Sequence, residues 1–363
     1  MGESTHGTHQ FQDIKIKTFK YLVSKGFNVF GLEANYSECE AINQYILTGE
    51  GNSIDLLKQL QLWPWKTAEL AGLIRWMRAY NANVSHKNKL EFFGFDSGNG
   101  IFLGIPALKK LMAETDQNKL KKITSLEQFE IKNKANRDSI QNEFIEIRAG
   151  LIANKDDFEK KIGPDKFNVI IRTLTSIIQN YEYYYLKFVY LVRDRHMSEN
   201  ISYMLAQNAR KKIFVFAHNA HINYNPHYYE QYGRDSILIA TKTMGYYLKT
   251  RFMTNYQAIG LDFLSGRFRV NFYNNATKNR VDSTIMLGRA PEKYLSAQVL
   301  KKSTINSAVL YVKNRCTTTD SIILHNYGGA KPAPERSSEK NSFKNGFDAL
   351  LIFRNTSATT GIN

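Results

Sequence analysis

Two cysteines are all the chain contains, Cys39 and Cys316, far apart and without a C-x-x-C spacing, so neither a disulfide framework nor a thiolate metal knuckle is written into it. This fits a reducing compartment; a cytoplasmic protein is expected, with an upstream leader left open. No basic segment followed by an apolar stretch opens the chain, so no signal peptide is visible. Met1-Gly2 is followed at position 6 by His, not by the Ser or Thr of a myristoylation signal. No apolar run approaches the roughly 18 residues that span a bilayer. No G-x-S-x-G elbow occurs, which removes a serine nucleophile of the α/β-hydrolase kind. Cys39 sits in a helical pattern with no histidine near it in sequence, so a thiol nucleophile is not supported either.

Charge is the one lopsided feature, with a formal net charge of +16. Lys119 to Lys134 carries a lysine excess, whereas opposite charges nearly cancel from Lys155 to Lys166, and both read as solvated faces of polar helices. Neither has the regular aromatic interleaving of a single-strand binder, so no nucleic-acid partner is expected.

At 363 residues and 43% hydrophobic content the chain can bury a large core as one α/β domain with an insertion, or as two domains. Helical spacing from Phe11 through Ile14, Phe19, Leu22 and Val23 ends at Gly26. Phe27 to Leu32 reads as a buried strand ending in Glu33, and Leu90 to Phe95 as another ending in Asp96. Between them lie helices around Ser37 to Ile46 and Thr67 to Tyr80. Residues 105–192 carry long helical stretches, Lys119 to Ile147 and Asp165 to Val192, and almost no strand signal. Sheet logic resumes with a helix from Asp194 to Asn208, a strand from Lys212 to Ala217, a helix from Ser236 to Arg251 and a strand from Tyr256 to Leu261. Arg267 to Tyr273, Ser321 to Leu324 and Ala349 to Phe353 read as later strands, Lys331 to Phe347 as loop, and 354–363 as a tail. The expected fold is α/β: a largely parallel central sheet flanked by helices, with an inserted all-helical subdomain over the C-terminal edge of the strands. The core is expected in two parts, 1–104 and 193–353, split by the insertion at 105–192. No internal repeat is present.

Chemistry concentrates at two points. Gly2-Glu3-Ser4-Thr5-His6-Gly7 puts an acid, hydroxyls and an imidazole between two glycines, and no strand precedes it in the numbered chain. His218-Asn219-Ala220-His221 follows an apolar strand. Glu33, Asp96 and His218 all fall at the C-terminal ends of parallel strands, the edge where α/β sheets open their ligand crevice. The remaining route to hydrolysis is direct attack of water, which needs a base and donors for the developing oxyanion. His6 can be the base, with Glu3 or Glu33 accepting its other ring proton; His218, His221 or a nearby arginine can face the carbonyl oxygen.

These motifs, with Glu33-Ala34-Asn35-Tyr36, Trp63-Pro64-Trp65, Phe93-Gly94-Phe95-Asp96, Arg193 to Asn200, Ala217 to Ile222 and the closing Phe347-Asp348-Ala349-Leu350-Leu351, come in the order seen in the erythromycin esterase family, which the chain resembles over nearly its whole length. The resemblance implies a hydrolase that opens macrolide lactones, or a relative of unknown substrate, working through a His-activated water and without metal or other cofactor. It implies His6 as general base, Glu3 as the motif acid, and Glu33, His218 and His221 as further polar site positions. Lys15 stands where the family commonly has a basic residue about nine positions after the base, and Arg193 is a source of an oxyanion contact. The implied partner is a small-molecule ester or lactone.

Each residue also has a plainer role open to it. Asp96 can cap the loop after its strand, and Trp63 and Trp65 can form a packed corner instead of a substrate platform. Arg193 can pair with Glu199 or Asp194; His196 reads as a surface or interface residue; His9, three residues from His6, can face the site or not. Two other functions stay open: a metal- or haem-binding protein using Glu3, His6, His218 and His221, and a catalytically idle or carbohydrate-assembly relative.

Overall fold

The computed structural model describes residues 1–128, 134–183, 190–225, 228–232, 237–274, 277–301, 304–311, 322–327, 338–341 and 346–362. The first helix, α1 (His9–Val23), buries Phe11, Gln12, Lys15, Ile16 and Phe19 and is followed by Gly26 in the left-handed region at φ 84°. β1 (Val29–Asn35) is buried at every position, as a central parallel strand must be. Asn35 accepts from Ser37 N and so starts α2 (Tyr36–Thr48) directly off the strand end. After α3 (Ser53–Gln59), a single 3₁₀ turn at Trp63–Trp65 and α4 (Ala68–Ala82), the chain enters β2 (Glu91–Asp96).

Five helices then follow: α5 (Gly100–Ala113), α6 (Gln117–Glu127), α7 (Lys134–Ala153), α8 (Lys155–Ile162) and α9 (Pro164–Tyr183). They share a core that includes Leu108, Ile123, Phe144, Leu151, Ile170, Leu174 and Ile177. α8 buries none of its residues and carries Asp156 and Asp157 in its first turn against Lys160 and Lys161 in its last, an arrangement that suits the helix dipole.

α10 (Tyr190–Ala206) leads to β3 (Ile213–Phe216) and the short α11 (Asn219–Ile222). The order β2-β1-β3 is parallel throughout. Phe30, Leu32 and Ala34 of β1 point into a core shared with α1, α2 and α4. Phe93 and Phe95 of β2 face the opposite layer, with Met197 of α10.

The helix expected from Ser236 to Arg251 is corrected. β4 (Tyr228–Tyr232) and β5 (Ile237–Thr241) pair as an antiparallel ribbon, and α12 (Met244–Phe252) starts only after Thr243, whose hydroxyl accepts from Tyr246 N; Ser236 lies outside the described residues. The β-branched residues of Ile-Leu-Ile-Ala-Thr favour a strand. The two strands expected at 256–261 and 267–273 are one, β6 (Ile259–Asn274). It passes through Gly266 at φ 136°, where a Cβ would come within 2.3 Å of Thr356 N. β7 (Asn279–Leu287), α13 (Leu295–Leu300), β8 (Ser307–Tyr311), β9 (Ile322–His325), β10 (Ser338–Asn341) and β11 (Ala349–Thr356) complete the described elements. The order β7-β6-β11-β8 is mixed, parallel only between β6 and β11, so the largely parallel expectation holds for one sheet and not for the other. β10, paired with β9, falls inside the stretch read as loop; Cys316 lies outside the described residues.

The expected tail is corrected too. β11 runs on to Thr356, and 357–362 crosses the start of the chain as a strap: Thr359 N donates to Gly7 O (3.0 Å), Ala68 N to Thr360 O (2.8 Å) and Ile362 N to Lys66 O (3.1 Å). At the other end, Met1–Glu3 lies between the two sheets, with Ala217 N donating to Met1 O (3.5 Å), Gly2 N to Ile259 O (2.7 Å) and Asn219 N to Glu3 O (2.8 Å). Backbone pairing on both sides therefore holds the first motif in place. Among the described residues no helix is long and apolar enough to cross a membrane.

Candidate active site

Both glycines of the first motif are required by close approach. A Cβ on Gly2 would fall 2.2 Å from Asn219 Oδ1, and one on Gly7 would fall 1.9 Å from Arg269 O. Glu3, Ser4 and Thr5 are fully buried, while the His6 side chain stays 16% exposed at the end of this tight segment. His6 Nδ1–H donates to Glu3 Oε1 at 2.7 Å, which fixes the tautomer and leaves the Nε2 lone pair free. Lys15 Nζ donates to the other oxygen, Glu3 Oε2, at 2.9 Å, and lies 3.5 Å from the centroid of the Phe216 ring.

Lys15, expected from its position as a basic residue for binding substrate, is instead a fully buried counter-charge behind the acid. Its position in the apolar stripe between Phe11 and Phe19 puts it there. Burial lowers its pKa to about 8 against the opposing pull of Glu3 and Glu33.

A second cluster faces the first. Glu33 Oε2 accepts from His218 N (2.8 Å); its Oε1 accepts from Arg193 Nη2 (2.9 Å) and lies 3.3 Å from His221 Nε2. Arg193 forks onto Asp96, Nε to Oδ1 at 3.0 Å and Nη2 to Oδ2 at 2.7 Å. His221 Nδ1–H donates to Asp194 Oδ1 (2.8 Å), and Asp194 Oδ2 accepts from Met244 N (2.7 Å) at the start of α12. Burial alone would raise Glu33, but the His221 ring, with Arg193 and His6, holds its carboxyl well below the usual range. Burial would lower His221, but Asp194 and Glu33 push it up to about 10. Both of its nitrogens are engaged, Nδ1 with Asp194 and Nε2 with Glu33 and with Arg193 Nη1 at 3.1 Å, so the expectation that His221 faces the carbonyl oxygen or a metal is corrected.

His218 is the opposite case. Burial, then the neighbouring His6, holds its pKa well below the usual histidine value, so the ring is neutral. Its Nδ1 accepts from Ala220 N (3.2 Å), which puts the proton on Nε2. That atom is buried without a hydrogen-bond partner among the described residues, although the Ser4 carbonyl is near enough to favour a protonated ring. The His218 and His6 rings meet edge to face, 5.3 Å between centroids.

The remaining candidates divide. Asp96 takes both roles open to it, gripping Arg193 and accepting from Gly98 N (3.0 Å). Arg193 pairs with Asp96 and Glu33; it is Arg195 that pairs with Glu199. Trp65 is a packed corner: 1% exposed, edge-on to His6 at 5.6 Å, its indole donating to Glu33 O (3.0 Å). Trp63 is half-buried, with the Arg269 guanidinium 5.3 Å from its ring centroid. His9 turns away to Glu69 (2.7 Å), whose carboxylate also holds Thr360 N. His196, expected at a surface or an interface, is buried within the chain and paired with Glu182 (2.8 Å). The Cys39 thiol is buried, which with nearby carboxylates pushes its pKa well up and leaves it inert.

Two groups were not singled out in the sequence. Asp194 was hidden beside Arg193, although an acid on a helix near two histidines is a usual signal. Glu38, in the first turn of α2, is pushed up to about 7, mainly by burial, and nothing local in sequence marks it. A surface hollow of about 590 Å³ lined by Glu114, Asp116, Asp157 and Lys161 lies at the ends of α5, α6 and α8 and contains none of these groups. Among the described residues no three His, Cys, Asp or Glu side chains are grouped to hold a metal.

The erythromycin esterase family model matches residues 23–356. The chain belongs to the erythromycin esterase family. Erythromycin esterase type II of Escherichia coli is 22% identical over 299 residues, 73% of this chain and 68% of that protein. In fold, the chain is similar to a Bacillus cereus protein of solved crystal structure, at TM-score 0.80 and 22% identity over 100% of this chain and 89% of that one. It is also similar to a succinoglycan biosynthesis protein (TM-score 0.75, 22% identity, 99% and 88%) and to an erythromycin esterase mutant in its open conformation (0.70, 16%, 99% and 91%). The family match begins at the last residue of α1, so the places of Glu3, His6 and Lys15 in the site rest on their contacts with Asn219, His218 and Phe216, which lie inside it.

Proposed function

We propose that the chain hydrolyses a carboxylic ester or lactone by direct attack of water, macrolide lactones being the first substrate class to test. The carrying observation is the pairing of a base with a donor: His6 Nδ1 is engaged with Glu3, which leaves its Nε2 lone pair for water, and 5.3 Å away, ring to ring, neutral His218 keeps a proton on Nε2 beside the Ser4 carbonyl. His6 takes a proton from water while Glu3 stabilises the resulting imidazolium, and the hydroxide adds to the carbonyl. The negative charge that develops on the carbonyl oxygen is met by His218 Nε2–H, with the Arg193 guanidinium behind it. The imidazolium then protonates the leaving alkoxide, which restores the base and balances the protons.

No metal is required in this scheme, because the ring nitrogens of His221 and Nδ1 of His218 are already committed. The helices of 105–192 govern which substrates reach the rim: α9 supplies Ser176 to Asn35 at the end of β1 (3.1 Å).

The test is hydrolysis by the full chain of an activated ester, a macrolide lactone and an acylated saccharide, with and without chelator. His6→Ala is expected to lower kcat by about 10²–10⁴-fold, and chelator to change nothing. Hydrolysis that persists in His6→Ala, or an inert wild-type protein across the panel, ends this reading.

A further inference from the structure

The face that α9 turns to the sheet is polar where packing alone would favour hydrocarbon. Arg172, Ser176, Gln179 and Asn180 are all buried and form one helical stripe. Leu174, Ile177 and Tyr181 of the same helix belong to the apolar core of the five-helix segment.

Arg172 has no carboxylate within ion-pair reach among the described residues. Its guanidinium lies 4.3 Å from the ring centroid of Tyr203, 5.5 Å from Tyr36 and 6.0 Å from Phe93, so aromatic faces stand in for a counter-ion. Arg172 Nη2 donates to Asn200 Oδ1 at 2.9 Å. Asn200 and Gln179 exchange two further bonds (3.1 and 3.0 Å), and Asn200 Nδ2 donates to Phe95 O at 2.9 Å. Burying an unpaired guanidinium is costly, and packing alone does not call for one here.

The destinations of these contacts explain it. Phe95 immediately precedes Asp96, Tyr36 follows Asn35 at the end of the strand that carries Glu33, and Asn200 lies two turns along α10 from Arg193. One side chain therefore touches, directly or through one amide, each of the three segments that deliver the Glu33–Asp96–Arg193 cluster.

We propose that Arg172 is a positioning residue for the hydrolytic rim, holding the ends of β1 and β2 and the first half of α10 in one register from the far side of the sheet. Its kinetic part rests on the hydrolase reading; its geometric part does not. Lysine is not equivalent, because an ammonium lacks the planar fork and stacks less well on three rings.

The experiment compares wild type, Arg172→Met, Arg172→Lys and a packing control on the same helix, Leu174→Ala, in the full chain. The first readout is the His221 ring titration by NMR, which needs no turnover. His221 is faced by Asp194, Glu33 and Arg193, with Asp96 beyond Arg193 and His6 across the rim. The Arg172 variants are expected to lower its pKa by about one unit as Glu33 drifts away, and Leu174→Ala to leave it in place. The second readout is kcat and KM on the activated ester. In Arg172→Met, kcat is expected to fall about a hundred-fold with KM little changed, whereas Leu174→Ala loses melting temperature and keeps kcat. An unmoved His221 titration in the Arg172 variants overturns the proposal, as does an equal shift in Leu174→Ala. Where Arg172→Met does not fold, Arg172→Lys carries the same readouts. If wild type hydrolyses nothing, the functional reading fails while the titration still decides the positioning role.

Discussion

Glu3 divides its two oxygens between a base and a buried cation, and this sets what either neighbour can do. Removing Lys15 leaves the buried Glu3 carboxylate without its ion-pair partner, so Lys15→Met is expected to destabilise the fold by about 3–5 kcal/mol. The double variant Glu3→Gln/Lys15→Met removes both charges and should recover much of that loss, which denaturant unfolding of the three variants would measure. Independent, additive losses would mean that the pair is not coupled. His221 makes a prediction of pH dependence. Its folded pKa of about 10 lies above the ordinary histidine value of 6.5, so the native state holds a proton that the unfolded chain releases. The stabilisation is fully present below about pH 6.5 and is lost as pH rises through about 10. His221→Gln should flatten this part of the stability–pH curve; an unchanged slope from pH 7 to 10 would show that the ring is neutral in the fold.

At the scale of elements, the strap after β11 and the turn at Trp63–Trp65 act on the same few residues from outside the crevice. The strap carries no catalytic group, yet its backbone holds Gly7 O next to the proposed base and Lys66 O just after Trp65. Shortening the chain after Thr356 is therefore expected to lower kcat on the activated ester by roughly ten-fold or more while the far-ultraviolet spectrum stays native. A truncated chain with wild-type kcat would make the strap decorative. Sequence reading treated 354–363 as a tail because its Ser, Thr and Asn residues lack hydrophobic periodicity. A segment that pairs through backbone leaves no side-chain signal. The ribbon β4–β5 was missed for a related reason: the window from Ser236 to Arg251 mixes a strand with a true helix. By contrast β2 and β3 are legible to within one residue at each end and β1 to within three, since buried strands read as short continuous apolar runs closed by a polar rim residue.

At the scale of the whole molecule, the rim residues could be named from sequence but their division of labour could not. Glu33, Asp96 and His218 were placed by the rule that α/β crevices open at strand C-termini, and the structure gathers them there. Buried contacts were not readable from sequence: burial makes His218 a neutral donor, Glu3 makes the buried Lys15 a counter-charge, and Asp194 and Glu33 favour a protonated His221 against burial. Nor was the join between the parallel sheet and the mixed sheet, on which the meeting of His6 with His218 depends. Asn219 makes much of that join with one side chain: its Nδ2 donates to Leu261 O (2.8 Å) and its Oδ1 accepts from Leu261 N (3.1 Å), so a single amide imitates a ladder step of β6. Its own backbone N–H holds Glu3 O, three residues from the base. Asn219→Ala leaves both polar groups of Leu261 buried and unpaired, at roughly 1–3 kcal/mol each, and loosens the segment that sets His6 against His218. Asn219→Asp keeps the acceptor but loses the donor and adds a buried charge. Both variants should lower stability and kcat together, Asp more than Ala. Loss of stability in Asn219→Ala with kcat and the His6 titration unchanged would mean that the first motif is held by its own backbone contacts, and that the two sheets need not move as one for the site to work.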